Sequence, residues 1–195
     1  MTVLTTENYS SVIGQRIAAE RLTLSAQWLV RLRELLTVTP NEVFPSDQLL
    51  DHIPVLVDQI AGYLSAPQEE EIAANAAVMD KARELGLLRH RQRASAHQLL
   101  HEYEILGEIL EGFLVEETER LGLKPSVAEA FGVHRRLTRS VRVLMRTTVD
   151  TFVSEYTTTI QEQNERIQAF NDLAWLPFLG ITSGDIPERS PTSGL

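Results

Sequence analysis

The sequence has 195 residues, 43% hydrophobic and 23% charged, which suits one folded domain with extensions and excludes an intrinsically disordered chain. It contains no cysteine, which excludes disulfides and thiolate metal sites, and its net charge of -9 disfavours binding to nucleic acid or to an anionic membrane. No apolar run is long enough to span a membrane and the first residues lack the features of a secretory signal, so we expect a cytoplasmic protein.

The first predicted helix covers residues 12–36. Its apolar side chains recur at steps of three, four and seven residues, which places them on one face of a helix. Two prolines and an asparagine between residues 37 and 45 end it. Ser46 and Asp51 can each cap a second helix, whereas Pro54 is tolerated only in a first turn or at a kink. We therefore predict a short turn from Ser46 and then a helix from about Asp51.

The third and fourth helices are predicted from their ends. The third opens after Pro67, where the glutamates at 69–71 lie at the positive end of the helix dipole, and closes at Gly86 as a left-handed C-cap. The fourth has the clearer start, because Ser95 and Gln98 have the spacing of a capping box. Its apolar face carries Leu99, Tyr103, Leu106, Leu110 and Phe113.

Gly107 and Gly112 lie inside the fourth helix without the lysine of a phosphate-binding loop, so they are interpreted as sites of close helix contact. Gly122 ends this helix, and Ser126 with Glu129 forms a second capping box that begins the last one. The sequence shows no alternating strand pattern. It predicts an all-α fold, a bundle of about five helices with a long C-terminal helix.

Two rows of opposite charge lie on the last two predicted helices. The acidic row is Glu104, Glu108 and Glu111, and the basic row is Arg135, Arg139, Arg142 and Arg146. Each row keeps to one helix face, because its members are three or four residues apart. A short connection makes the two helices antiparallel neighbours, so one interpretation pairs the rows along the rim of the groove between them. The alternative is that the arginines bind nucleic acid, which the net charge disfavours, or a phosphorylated partner.

Four histidines are candidate ligands. His97 and His101 are four residues apart, as in some helical metal sites, but Gln98 stands where a metalloprotease has its glutamate, and no third ligand is evident. Two exposed histidines are the simpler interpretation. His90 or His134 could serve as the axial ligand of a haem held between helices.

Two segments of the chain carry a likeness to a known family. The matching positions are Leu50, Asp51, Ile53 and Pro54 in the first segment, and Arg91, Gln92, Leu99, Leu100, Glu102, Tyr103 and Leu106 in the second. They resemble the N-terminal domain of RsbRD-type co-antagonists of the RsbT kinase, a domain that also precedes many soluble bacterial sensor histidine kinases. The likeness covers roughly residues 15–160 and departs at Arg93, where the family usually has glycine. The resemblance implies an all-helical sensory or protein-interaction module that tends to dimerise and brings no catalytic residue with it. A globin-like fold without haem is one form that such a module could take.

The segment that follows resembles the start of a kinase phosphoacceptor helix. AFNDLA, residues 169–174, matches that start, but Trp175 then stands where the sequence leading to the phosphoacceptor histidine would follow. That histidine and the ATP-binding domain are both missing from the 195 residues, so we expect no enzyme activity. A truncated kinase relative and a free regulatory module both remain open.

These features together predict a sensory or regulatory domain at 1–160, a signalling-helix linker at 161–174 and a flexible tail at 175–195. We expect no cofactor, a homodimer, a signalling protein as partner, and neither nucleic acid nor membrane. The predicted dimer seam, at steps of four, four, seven and three, is Phe152, Tyr156, Ile160, Ile167 and Phe170. Packing of the first two inside their own bundle is the alternative. Competing functions are a haem or small-ligand binding globin-like sensor and a metalloenzyme that uses His97 and His101.

Overall fold

The computed structural model describes the backbone of residues 6–38, 47–66 and 76–179, and the side chains of residues 9–34, 52–66 and 78–171. These parts form six α-helices and no strand, which confirms the all-α prediction. The helices are α1 (Thr6–Ala19), α2 (Arg21–Val38), α3 (Asp47–Ser65), α4 (Ala76–Arg91), α5 (Ala96–Arg120) and α6 (Val127–Leu179). Among the described residues, no helix is long and apolar enough to cross a membrane.

The chain divides into two compact units, residues 1–156 and residues 157–195. The first unit holds the helical bundle and its core. In the second unit, nearly all described side chains are exposed. Residues 175–179, which we assigned to the tail, are helical, while residues 180–195 lie outside the described residues.

The core of the first unit is built from α1 to α5 and the first part of α6. Helix α1 packs mainly on α3, and α2 packs on both α3 and α5. Trp28 of α2 is fully buried, and its indole N–H donates to the Glu102 carbonyl of α5 at 2.8 Å. A buried indole needs such an acceptor, so this bond fixes α2 against α5.

The first predicted helix, 12–36, is wrong in one respect, because Glu20 divides it into α1 and α2. The sequence gives no sign of this break, since neither proline nor glycine is present there. Glu20 keeps both backbone hydrogen bonds, from its N–H to Arg16 O (3.0 Å) and from Leu24 N–H to its own carbonyl (2.9 Å). The interruption therefore costs little backbone hydrogen bonding, and on either side of it α1 and α2 both pack on α3 and α5.

The predicted start of the second helix is also wrong. Helix α3 begins at Asp47 and contains Pro54 in its interior, with no separate turn before Asp51. A proline there removes one backbone donor, and the buried residues around it, such as Ile53 and Leu56, compensate by packing in the core. The proposed cap Ser46 lies outside the described residues.

Gly86 is not a C-cap, because α4 continues past it to Arg91. The left-handed residue is instead Arg93, with φ of 59°. Ala94 N–H bonds to Arg89 O at 3.1 Å and Arg93 N–H to His90 O at 2.9 Å, which is the Schellman pattern of a helix end. Glycine adopts this conformation without strain, so an arginine at the position is unusual.

Both predicted capping boxes lie where we expected helix starts. Ser95 Oγ accepts from Gln98 N–H at 3.0 Å at the start of α5. At the start of α6, Ser126 N–H donates to Glu129 Oε2 at 2.7 Å, and Glu129 N–H donates to Ser126 Oγ at 3.2 Å. Gly122 has φ of 61° in the turn between the two helices. This short turn makes α5 and α6 antiparallel neighbours.

Candidate functional site

The positions that carried the family likeness lie mostly in the interior of the bundle. Ile53, Glu102 and Tyr103 are buried, Pro54 and Gln92 are half-buried, and Arg91 is exposed, while the side chain of Asp51 lies outside the described residues. These residues come from α3, the end of α4 and α5. They therefore lie where three helices pack together, and Tyr103 also borders a groove between α5 and α6.

A buried ion pair stands at the centre of this group. Arg89 of α4 is fully buried and donates through Nη2 to Oε1 of Glu102 on α5, which is itself only 5% exposed. Arg89 Nη1 donates to Gln92 Oε1 at 2.5 Å, and Gln98 Nε2 donates to Glu102 Oε1 at 3.0 Å. The Nε of Arg89 has no hydrogen-bond partner. Our sequence analysis missed Arg89, because an arginine in a basic segment resembles a surface residue.

A second buried contact joins α4, α5 and α6. Thr148 Oγ1 donates to the carbonyl of Ala82 at 3.0 Å and lies 2.6 Å from Tyr103 Oη. Because the single hydroxyl hydrogen of Thr148 goes to Ala82, the phenol of Tyr103 must be the donor. Burial raises the pKa of Tyr103, so this proton stays in place at physiological pH. Thr148 was likewise missed, since one threonine on a helix carries no pattern.

The two histidines at the start of α5 lie close together on the surface. His101 Nε2 is 2.9 Å from His97 Nε2, and His101 Nδ1 is 2.9 Å from Glu104 Oε2. Among the described residues, no group of three or more histidine, aspartate or glutamate side chains is placed to hold a metal ion. Within the described part of the chain, the metalloenzyme alternative therefore gains no third ligand.

The candidate haem ligands have other neighbours. His90 packs edge-on against Phe152 and Tyr156, with ring centroids 5.9 Å and 6.5 Å apart, and His134 Nε2 lies 3.4 Å from Glu111 Oε1. The internal space beside Trp28 is about 10 Å³, but His134 borders an open, mainly apolar groove of about 540 Å³, which Tyr9, Leu114 and Phe131 also line. Sites for organic ligands usually exceed about 300 Å³. Haem binding stays a prediction.

The predicted seam residues differ in their surroundings. Phe152 is buried against Ala94 and Leu99, and its ring stacks on that of Tyr156 with centroids 6.5 Å apart. Phe152 therefore packs inside its own bundle. The other four seam residues are exposed: Tyr156 (55%), Ile160 (41%), Ile167 (58%) and Phe170 (72%).

Glu117 forms the second buried charge cluster. Its carboxylate accepts two hydrogen bonds from Arg120, both at 2.7 Å, and one from Arg16 of α1 at 2.7 Å. The hydrogen bond from Arg120, aided by Arg16 and opposed by desolvation, lowers the pKa of Glu117 to about 2. The cluster links α1 to the end of α5.

This cluster predicts a pH dependence of stability. Because the pKa of Glu117 is lower in the folded chain, its contribution is complete above about pH 4.5 and is lost as the pH falls towards 2. The arginines are partly exposed, so we expect about 1–2 kcal/mol. Urea unfolding at pH 7 and pH 3 should show that the wild type loses this much more stability than Glu117→Gln. Equal losses in both proteins would contradict the assignment.

The three glutamates of the acidic row and Arg142 of the basic row line a groove of about 250 Å³ between α5 and α6. Arg146 pairs with Asp150 of its own helix at 3.6 Å, and pairing of the two rows with each other stays a prediction. Glu108 pairs with Arg31 of α2 at 2.8 Å, and Glu111 accepts a hydrogen bond from Thr138 Oγ1 at 3.0 Å.

Comparison with protein families gave one match. The model of the RsbT co-antagonist protein rsbRD N-terminal domain matches residues 22–167, about three quarters of the chain. The matched range includes α2 to α5 and much of α6, and therefore both buried polar contacts. No curated protein and no solved structure matched the chain.

Proposed function

Because the chain belongs to the family of RsbT co-antagonist protein rsbRD N-terminal domains, we propose that it is a regulatory module of bacterial signal transduction that acts by contacts with other proteins. The family match over residues 22–167 is the observation that carries this proposal. The arrangement of polar groups supports it, because Arg89, Glu102 and Tyr103 bond to other residues of the bundle. A site built in this way stabilises the bundle and offers no group for catalysis.

The proposed module works as a homodimer through the last helix. Ile160, Ile167 and Phe170 follow one another at steps of seven and three, so they lie on one face of α6. All three are exposed in a single chain. Burying such side chains against a second copy contributes roughly 25 cal/mol for each Å² of apolar surface, which is the driving force for a two-helix coiled coil.

The proposed output is a change in the packing of this helix, received by a signalling protein. A ligand or partner that binds one packing of the bundle more tightly than another shifts the population between them. The contacts of Thr148 with Ala82 and Tyr103 couple α6 to α4 and α5, so a shift of either helix acts on α6. This proposed relay, the transmission of a signal through helix packing, needs no chemical step.

Charged substitutions in the seam test the dimer on which this function depends. Ile160→Glu combined with Ile167→Glu should convert the full chain from dimer to monomer, because two carboxylates per chain would be buried without partners. Light scattering measures the mass, and circular dichroism should show that the bundle stays helical.

The matched control is Gln161→Glu combined with Gln168→Glu. These changes add the same charge one residue along the helix, at exposed positions, so the control should remain a dimer. A mass that is unchanged in the isoleucine variant, or reduced equally in both variants, would remove the seam from the proposal.

A further inference from the structure

The imidazoles of His97 and His101 face each other on the first two turns of α5. Their Nε2 atoms are 2.9 Å apart, while the ring centroids are 4.3 Å apart and the ring planes cross at 83°. Two imidazoles joined by one straight hydrogen bond of this length would have centroids about 5 Å apart. The rings are therefore inclined to each other, as two rings that share one metal ion are.

The separation of the two nitrogens fits two ligands at a right angle on one metal ion. An imidazole nitrogen lies about 2.0–2.1 Å from a first-row metal ion, so two of them at a right angle are about 2.9 Å apart. At the tetrahedral angle they would be about 3.3–3.4 Å apart. The observed 2.9 Å matches the right angle, which square-planar Cu²⁺ and Ni²⁺ sites use.

Glu104 prepares His101 to be a ligand. His101 Nδ1 lies 2.9 Å from Glu104 Oε2. A carboxylate only accepts hydrogen bonds, so Nδ1 carries the hydrogen and Nε2 keeps a lone pair for an ion. Ligating histidines in metal sites are commonly supported by a carboxylate in this way. The ring of His97 makes no other hydrogen bond within the described residues, so its hydrogen can move to Nδ1 when an ion binds.

We propose that His97 and His101 bind one Cu²⁺ or Ni²⁺ ion, with water at its remaining positions. Water can reach the site, because His97 is exposed and the side chain of His101 is 34% exposed. Among the described residues, no third histidine or carboxylate is placed to complete the coordination. The pair is therefore a binding site for an exchangeable ion and supplies no catalytic group.

The charges around the pair favour a cation. Glu104 lies beside it, and Glu108 follows one turn further along the same face, in a chain of net charge -9. The N-terminal end of α5 opposes a cation through the helix dipole, but that end carries roughly half an elementary charge. The full charge of the Glu104 carboxylate outweighs it.

An ion at this position would tie together the first two turns of α5. Leu99, which lies between the two histidines in sequence, is buried with Phe152 of α6. The ion therefore stabilises the part of α5 on which α6 packs. A role of this ion as the signal rests on the proposed function, whereas the binding itself does not depend on the dimer.

Calorimetric titration of the full chain with NiCl₂, without an affinity tag, tests the site. The wild type should bind one Ni²⁺ per chain, and His97→Gln and His101→Gln should each weaken binding at least about tenfold. Glu104→Gln should weaken it about tenfold, because the charge behind His101 is lost. Ni²⁺ should bind more tightly than Zn²⁺, which prefers tetrahedral ligands, and Mg²⁺, which prefers oxygen ligands, should not bind.

Two controls separate this pair from histidines in general. His134→Gln removes an exposed histidine elsewhere and should bind Ni²⁺ as tightly as the wild type. His101→Gln combined with Glu116→His keeps all five histidines of the chain. The second histidine then lies about 28 Å from His97 along α5, so this variant should bind no more tightly than His101→Gln.

Stability gives a second measurement. At a Ni²⁺ concentration about 100 times the dissociation constant, the equilibrium constant of unfolding in urea should fall about 100-fold for the wild type. The same concentration should lower it no more than about tenfold for His97→Gln. Circular dichroism should show equal helix content in all variants, since the substituted positions are on the surface.

Wild-type binding no tighter than that of His97→Gln would overturn the inference, and so would an equal loss in His134→Gln. Wild-type affinity in the variant with a separated histidine, or tighter binding of Zn²⁺ than of Ni²⁺, would contradict the right-angle site. The variant with both isoleucines changed keeps the histidine pair, so it should bind Ni²⁺ normally. Failure of the seam and failure of the metal site are therefore separate results.

Discussion

Replacement of Arg89 by methionine is expected to destabilise the folded chain by about 3–5 kcal/mol. Arg89 is fully buried and its partner Glu102 is nearly so, which leaves the carboxylate without its cation in a medium of low polarity. The neutral amide of Gln98 still donates to that carboxylate, but it brings no positive charge. Urea unfolding followed by circular dichroism measures the free energy of unfolding.

The double variant Arg89→Met/Glu102→Leu should lose less stability than Arg89→Met alone, because no unpaired charge is left behind. The surface pair Arg83–Asp80 of the same helix α4 is the control, since its side chains are 55% and 66% exposed. Arg83→Met should cost no more than about 1 kcal/mol. If Arg83→Met and Arg89→Met cost the same, the buried pair has no special role.

Gly86→Ala is expected to destabilise the chain by about 3 kcal/mol, although alanine is the better helix former. A Cβ at this position of α4 would lie 2.5 Å from the carbonyl oxygen of Thr148 and 2.9 Å from Thr151 Cβ, both on α6. The backbone of α6 cannot yield as a flexible side chain would, so the two helices must separate and the core around them loosens. The midpoint of urea unfolding should fall accordingly.

The matched control for Gly86 is Gly112, an interior position of α5 where an added Cβ meets no atom within 4 Å. Gly112→Ala should leave stability unchanged or raise it by up to about 1 kcal/mol. A small stabilisation by both substitutions would mean that α4 and α6 are not in close contact at Gly86.

Features that depend on neighbours in the sequence could be predicted well. Ser95 and Ser126 cap helices because a hydroxyl reaches the N–H three residues on, whatever the rest of the chain does. The stripes of apolar residues likewise follow from helix geometry alone, and they gave the all-α bundle.

Features that depend on packing between helices could not be predicted from the sequence. Gly86 was predicted to end a helix because glycine favours such ends. In the structure, Gly86 instead allows α6 to approach α4 closely. The residue with the left-handed conformation is Arg93. Of the two glycines interpreted as close contacts, Gly107 has a neighbour within 4 Å, Val141, and Gly112 has none. Spacing in the sequence does not say which face meets another helix.

The same distinction between local sequence features and helix packing applies to the candidate site. The spacing of the acidic and basic rows was evident from the sequence, whereas the groove that the glutamates and Arg142 line depends on how far apart α5 and α6 lie. Arg89 was missed because burial of an arginine depends on a partner thirteen positions away, Glu102, on another helix. Only the assembled bundle reveals such a pair.

Thr148 limits the movements open to α6. Its hydroxyl is held by Ala82 and Tyr103, and its carbonyl faces Gly86, so three helices meet around one residue. Sliding α6 by a single residue, about 1.5 Å, would break these bonds or drive the carbonyl into α4. Sliding of α6 along its axis is thereby penalised, whereas a tilt about Thr148 stretches these bonds least. We therefore expect tilting to be the least costly motion for the proposed relay.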